Sequence, residues 1–296
     1  MKSVIIFTFS GTGNTFIVAD NISSSFTENG CTVTTEKMEH YFHDQPLPDL
    51  TPYDYIGIGY PIHAFNAPLK VVRFVKSLPK CDKCDKKVFI FKTSGEPFWM
   101  NKGSSVLLRR KLSKKGMELV FERHFLMPYN VIFRYHDSLV KQMHITSRKL
   151  AENMVKSTIN GFFEVNRITV PQRIVSFIFR IEWLGKINGL FMRVSKKTCS
   201  DCGLCISRCP AKNIVKANGR IKIKPNCSMC MRCVMYCPTG ALKAGILRFW
   251  AVRGGYDFDS ILSNEKIPEV YVDESTRGYF KLFRKYFKWA DKVARD

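Results

Sequence analysis

The stretch SVIIFTFSGTGNTFIVADNI, Ser3–Ile22, changes character twice in twenty residues. An apolar run, Val4–Phe9, stops at a small polar loop, Ser10-Gly11-Thr12-Gly13-Asn14-Thr15, and an amphipathic run begins at Phe16. A strand, a small polar loop and a helix in that order form an anion-binding device. Backbone N–H groups at the helix start point outward, and the helix dipole favours negative charge there. Gly11 and Gly13 let the backbone curl close to a ligand. The hydroxyls of Ser10, Thr12 and Thr15 and the Asn14 amide add donors. No G-K-[ST] follows, so this is not a P-loop, and the glycine spacing is not G-x-G-x-x-G. The loop holds no lysine, so a phosphate bound here meets neutral donors.

Further along, short apolar runs recur at Val4–Phe9, Thr32–Thr35, Tyr55–Tyr60, Val88–Phe91 and Met117–Phe121. Stretches with helical spacing, Phe16–Ser25, Leu69–Leu78 and Ser104–Lys115, separate several of them, and Ser138 to Asn160 reads as one more helix. Strands alternating with helices predict a parallel sheet covered on both faces, which binds ligands beyond the carboxyl ends of its strands. The loops Tyr60–Pro68 (YPIHAFNAP) and Lys92–Trp99 (KTSGEPFW) follow the third and fourth runs and are therefore candidate binding loops. The expected organisation is an α/β domain over residues 1–160, a basic and aromatic connector over 161–197, a cysteine-rich unit over 198–245 and a basic aromatic tail over 246–296.

The chain has 296 residues and a formal net charge of +22. Such a charge suits nucleic acid, an anionic membrane or acidic proteins. No nucleic-acid-binding motif accompanies it, which sets that class aside. No signal peptide is evident, because the first apolar run is short and ends in the glycine loop. The later stretch RIVSFIFRIEWLGKINGLFMRV from Arg173 is interrupted by Arg180, Glu182 and Lys186, and falls short of a membrane span. A cytoplasmic protein is expected. The connector and the tail YFKLFRKYFKWADKVAR, basic and aromatic at helical spacing, are candidates for a weak peripheral membrane contact. The tail's aromatics are otherwise expected to pack against the cysteine-rich unit.

Eight of the 11 cysteines fall between Cys199 and Cys237. CSDCGLCISRCP, Cys199–Pro210, and CSMCMRCVMYCP, Cys227–Pro238, are an internal repeat of the form C-x2-C-x2-C-x3-C-P. The spacing suits a cubane iron–sulfur cluster: three thiolates come from one tight loop and a fourth arrives from elsewhere. Structural zinc usually takes paired C-x2-C knuckles without a third cysteine at the same step, and disulfides are rare in the cytosol. Between the runs, Asn218-Gly219 flanked by alternating apolar residues is a hairpin signal.

The two runs resemble bacterial two-[4Fe–4S] ferredoxins over roughly 45 residues, in which the fourth cysteine of each run ligates the other cluster. That resemblance implies one cluster on Cys199, Cys202, Cys205 and Cys237, and another on Cys227, Cys230, Cys233 and Cys209. The N-terminal part resembles flavodoxins, whose phosphate loop carries the same serine–glycine–threonine–glycine–asparagine–threonine run and whose doubly wound sheet has the order 2-1-3-4-5. The resemblance implies FMN, its phosphate on Ser10–Thr15 and its ring between Pro61, Ile62, His63, Ala64, Phe65 and Asn66 on one side and Thr93, Ser94, Gly95 and Glu96 on the other. His63, Phe65 and Trp99 are candidates for ring stacking. Residues 61–67 contain no glycine, which leaves Asn66 as the residue there that tolerates a positive φ.

Taken together, the SGTGNT loop, GYPIHAFNAP, TSGEP, ERHFLMPYN and both cysteine runs resemble the flavodoxin–ferredoxin fusion proteins of anaerobes, the EFR-type ferredoxins, over most of residues 1–245. The resemblance implies an electron-transfer protein that relays electrons between FMN, two [4Fe–4S] clusters and an external redox partner. The competing expectation is a flavin-dependent reductase of a small substrate fed by the clusters, with His63 or Glu96 as proton donor. Two clusters and an FMN phosphate carry about six negative charges, which leaves the loaded protein basic. An acidic ferredoxin or flavodoxin is the expected partner class.

Of the remaining residues, Cys81 and Cys84 form a C-x-x-C that reads as two loop thiols, a redox dithiol, or half of a metal site with His40 or His43. Cys31 reads as a packed core thiol. His124 and Tyr129 are expected after the fifth strand, facing a flavin, a domain interface or ordinary packing.

Overall fold

The computed structural model describes residues 1–43, 45–81, 86–129, 131–180, 184–249, 251–252 and 254–295. Cys84 lies outside the described residues. The chain forms two compact units, one of residues 1–128, 136–179 and 258–296, the other of residues 129–135 and 180–257.

The first unit is built on strands β1 (Ser3–Thr8), β2 (Thr32–Lys37), β3 (Tyr55–Pro61), β4 (Lys87–Ser94) and β5 (Glu118–Leu126). They form one sheet in the order β2-β1-β3-β4-β5, parallel throughout. This is the flavodoxin-like doubly wound order. Val4, Ile5, Ile6 and Phe7 are all fully buried, as a central strand covered on both faces requires. Helices α1 (Asn14–Glu28) and α4 (Asp137–Ile159) cover one face, where Val18, Ile22, Phe26, Leu150 and Met154 pack with Val4, Ile6, Phe89 and Phe91. On the other face lie α2 (Leu69–Ser77) and α3 (Val106–Ser113), and Phe74 of α2 meets the Phe7 ring at 5.0 Å.

Three features depart from the sequence reading. First, β5 runs on to Leu126, so His124 lies within the strand, paired in register with Lys92. The polar residues Glu122 and Arg123 hide this extension in the sequence, yet both are buried because each has a charged partner. Second, residues 161–179 belong to the first unit and carry a helix, α5 (Val170–Ile178), opened by a capping box between Thr169 and Gln172 and a proline in its first turn. Third, residues 258–296 return to the first unit. Their helix Arg284–Val293 buries Phe287 and Ala290, and Ala290 joins the core that α4 contributes to. Of the tail aromatics, Tyr286 packs against the core of the first unit. Gln142 of α4 holds the returning chain, accepting from the N–H groups of Tyr271 (3.0 Å) and Val272 (2.8 Å) and donating to the Val272 carbonyl (3.0 Å).

The second unit contains α6 (Leu184–Phe191) and two small antiparallel sheets, β6 (Arg193–Val194) with β9 (Leu242–Lys243), and β7 (Ile214–Ala217) with β8 (Arg220–Ile223). The β7–β8 hairpin turns at Asn218 (φ 51°) and Gly219 (φ 67°), both in the left-handed region that a two-residue hairpin favours. Its small core gathers Met192, Ile214, Met231, Val234, Leu242 and Ala244. Among the described residues no helix is long and apolar enough to cross a membrane.

Candidate functional site

The loop after β1 is shaped by one hydroxyl. Ser10 Oγ accepts from the N–H groups of Gly13 (3.0 Å) and Thr15 (3.2 Å), which folds the loop back on itself. Gly13, at φ 109°, takes a conformation that residues with side chains rarely adopt. It begins α1, which has neither a side-chain cap nor an acidic residue in its first turn. The positive end of the helix thus meets the loop with no acidic side chain in its first turn. Thr15 Oγ1 lies 2.8 Å from Thr93 Oγ1, tying the loop to the end of β4. The Asn14 amide, read as a phosphate donor, donates to the Pro128 carbonyl at 2.7 Å. At the last residue of β1, Thr8 Oγ1 is buried without a hydrogen-bond partner.

The two other candidate loops stand at the neighbouring strand ends. Ile62 N–H donates to the Thr93 carbonyl at 2.8 Å and so joins them. In the first loop His63 and Asn66 exchange both backbone hydrogen bonds at 2.9 Å, closing a two-residue turn. The turn residues Ala64 (φ 44°) and Phe65 (φ 61°) both sit in the left-handed region. Asn66 does not. It serves the turn through its side chain, whose Nδ2 donates to the carbonyls of Ala64 and Phe179, both at 3.0 Å, and whose Oδ1 accepts from Ser176 Oγ at 2.7 Å. Two such residues without glycine form a strained turn of the kind that concentrates at functional sites. The Phe65 ring packs against Phe179 at 5.2 Å and Phe98 at 6.3 Å, while Trp99 is half-exposed.

In the second loop Ser94 Oγ donates to the Glu96 carbonyl (2.9 Å) and accepts from Asn101 Nδ2 (3.0 Å). His124 Nε2 lies 2.7 Å from the same hydroxyl. Tyr279 OH donates to Glu96 Oε1. Burial pulls His63 down to about 4, and burial together with the Lys92 charge pulls His124 down to about 3, so both rings are neutral at pH 7. Tyr129 lies in the second unit, its ring 5.3 Å from that of Tyr135.

Beneath these loops lies a buried ion cluster that the sequence reading missed. Glu122 accepts from Lys92 Nζ at 2.5 Å, from Ser105 Oγ at 2.8 Å and from Arg109 Nε at 2.8 Å. Glu122 and Lys92 are almost wholly shielded from solvent. Burial alone would raise the Glu122 pKa, but Lys92 and Arg109 hold it below the ordinary glutamate range. The signal in the sequence is slight: one lysine and one glutamate, each closing an apolar run.

In the second unit the cysteines line two cavities. One is lined by Cys199, Cys202, Cys205 and Cys237 with Val194, Ile221 and Leu242. The other is lined by Cys209, Cys227, Cys230 and Cys233 with Met192, Ile214 and Val234. None of the eight is in a disulfide. The repeat extends to the backbone. Asp201 and Gly203 in the first run, and Met229 and Met231 in the second, take positive φ at equivalent positions, and a short helix follows each run's turn, Leu204–Ser207 and Arg232–Met235. Cys209 Sγ accepts from Asn213 N–H (3.3 Å) and Cys227 Sγ from Met229 N–H (3.3 Å). Burial pushes the Cys230 thiol up to about 12. Among the described residues, no group of three or more His, Cys, Asp or Glu is set to hold a single metal ion.

Comparison with solved structures gives partial likenesses. Flavodoxin 2 from Bacillus cereus is 21% identical, with a TM-score of 0.41 over 55% of this chain and 100% of that chain. An NAD(P)H:quinone oxidoreductase from Methanothermobacter marburgensis is 16% identical, with a TM-score of 0.39 over 51% of this chain and 98% of that one. Rubredoxin oxygen:oxidoreductase from Desulfovibrio gigas is 18% identical, with a TM-score of 0.39 over 54% of this chain and 37% of that one. The chain thus spans little more than a third of the Desulfovibrio enzyme's length. No protein-family model and no curated protein matches the chain. The flavodoxin-like fold of the first unit is defined by its own strand order and register.

Proposed function

We propose that the chain is an electron-transfer flavo-iron–sulfur protein of the flavodoxin–ferredoxin fusion type. It holds FMN on the first unit and two [4Fe–4S] clusters in the second, and exchanges electrons with an external redox protein. The observation that carries the reading is the lining of the two cavities. Each draws three cysteines from one run and the fourth from the other: Cys237 joins the first run's cavity and Cys209 the second's. Two apolar cavities with four thiols each suit two cubanes, whose irons take one thiolate apiece. Buried thiols such as Cys230 resist ionisation alone, and a bound cationic centre reverses that balance. Backbone donors to Cys209 and Cys227 would stabilise added negative charge on a cluster.

The first unit fits FMN on two observations: the Ser10-folded loop at an uncapped helix start, and the orphaned Thr8 hydroxyl just before it. Ser10–Thr15 would hold the phosphate. Residues 61–66 and 93–96 would hold the ring, with Phe65 fixed from behind by Phe98 and Phe179. FMN, when bound, supplies one- and two-electron chemistry. The reductase alternative needs a proton donor at these loops. His63 is neutral at pH 7 and the Glu96 carboxylate accepts from Tyr279, which favours the carrier reading.

The test is anaerobic reconstitution of the full chain with iron, sulfide and FMN, followed by metal analysis, flavin fluorescence and EPR. About eight irons and one flavin per chain are expected. Zinc retained in place of iron, or flavin absent at saturating FMN, would sink the respective half of the proposal.

A further inference from the structure

The residues of α5 face the wrong way for a surface helix. Its uncharged polar residues point inward: Gln172 is 4% and Ser176 1% exposed. Its apolar residues point outward: Val170 is 65%, Ile174 52%, Phe177 68% and Ile178 63% exposed. At helical spacing these four form one stripe. An ordinary surface helix of a globular protein does the reverse.

The helix cannot roll to hide the stripe, because its inner face is fastened at several points. Gln172 Nε2 donates to the Trp99 carbonyl at 2.9 Å, and its Oε1 accepts from Thr169 N–H at 2.9 Å. Ser176 Oγ donates to Asn66 Oδ1 at 2.7 Å. The packing is close enough that a Cβ on Gly103 would stand 2.5 Å from the Gln172 carbonyl oxygen. Turning the helix would bury Arg173 and break these bonds.

The charge around the stripe indicates what covers it. Arg167 and Arg173 are exposed, and the segment 166–179 contains no acidic residue. Hydrocarbon at the centre with guanidinium groups at the margin matches a surface that offers acyl chains and phosphates together. An acidic protein would set hydrated carboxylates against Val170, Ile174 and Phe177, at the cost of desolvating them. We infer that α5 is a membrane-docking helix, which seats Val170, Ile174, Phe177 and Ile178 in the interface of an anionic bilayer while its arginines engage lipid phosphates. This inference is independent of the electron-transfer reading. The same hydrogen bonds that fix α5 run to Asn66 and Trp99, so a docked bilayer lies one helix away from both loops.

The test is co-sedimentation of the full chain with vesicles of phosphatidylcholine alone or mixed equally with phosphatidylglycerol, at low and physiological salt. Binding to the mixed vesicles and little to phosphatidylcholine is expected. The Phe177→Glu variant should bind the mixed vesicles at least about tenfold more weakly. Far-UV circular dichroism and thermal midpoint, read on the same samples, should match those of the parent. Equal binding by parent and variant would mean that net charge alone holds the protein, and would overturn the inference. So would absence of binding by the parent at low salt, or dimerisation that Phe177→Glu abolishes, which would put a second copy on the stripe. Should Phe177→Glu misfold, Phe177→Trp decides: a blue-shifted emission with mixed vesicles supports insertion, and an unchanged emission refutes it.

Discussion

In the loop Ser10–Thr15, geometry rests on the backbone: a left-handed glycine, an uncapped helix start, and amides gathered on one serine hydroxyl. In the cysteine-rich unit it rests on eight side chains around two cavities, with backbone donors in support. The Asn14 amide shows the contrast well. It is read as a phosphate donor in the sequence, and its side chain also donates to the Pro128 carbonyl and anchors the loop. A site built from backbone tolerates loss of many side chains and fails when its turn is deformed. One built from thiols fails at each of them.

The largest effect should come from Cys237→Ala. It removes the one thiol that the second run lends to the first run's cavity. After reconstitution the variant should hold about half the iron or less, with FMN affinity unchanged. Full iron content would break the contrast and argue against the cysteine cavities as metal sites.

Next comes Glu122→Ala. It leaves buried Lys92 and half-buried Arg109 without their counter-charge, which costs about 3–5 kcal/mol in a denaturant titration. The Glu122 pKa in the folded chain lies below the ordinary 4.5. Its contribution is therefore complete above pH 4.5 and disappears as the pH falls through the lower folded value. The acid slope of parent stability should flatten in the variant. Iron content should not follow, and a parallel loss of iron would tie the two units together energetically.

Smaller is Ser10→Ala, which removes the acceptor for two loop amides. FMN affinity should fall about ten- to a hundredfold, measured by fluorescence titration, without reaching the complete loss expected of a cysteine variant. Smallest is Ala64→Gly. Relief of the left-handed strain at φ 44° outweighs glycine's extra freedom in the unfolded chain and should add up to about 1 kcal/mol. A loss of stability would show that the turn is held without strain.

The sequence made some of this plain and hid the rest for physical reasons. Strands β1 and β3 are legible because central parallel strands are apolar on both faces. The end of β5 is not, because Glu122 and Arg123 read as a surface and are buried only through partners on other elements, Lys92, Arg109 and Glu164. The positive φ that Asn66 could tolerate falls instead on Ala64 and Phe65, while Asn66 is held by Ser176 and Phe179, residues read as part of a connector. The repeat made the gathering of the eight cysteines legible, because it is written in side-chain spacing, and they line two cavities. The inverted face of α5 needed the structure, since periodicity marks an apolar stripe without saying which way it points.

The first unit also contains both the beginning and the end of the chain, since residues 258–296 rejoin it after the cysteine-rich unit. During synthesis its sheet strands leave the ribosome before the cysteine-rich unit, and the helix Arg284–Val293 that joins its core leaves after it. The cysteine-rich unit is thus made while its host is still open. A gene cut after Asn160 would release a sheet whose α4 lacks the cover that Tyr271, Val272 and Ala290 supply. A shortened form of this unit therefore has to keep residues 258–296 together with the strands and helices before residue 180.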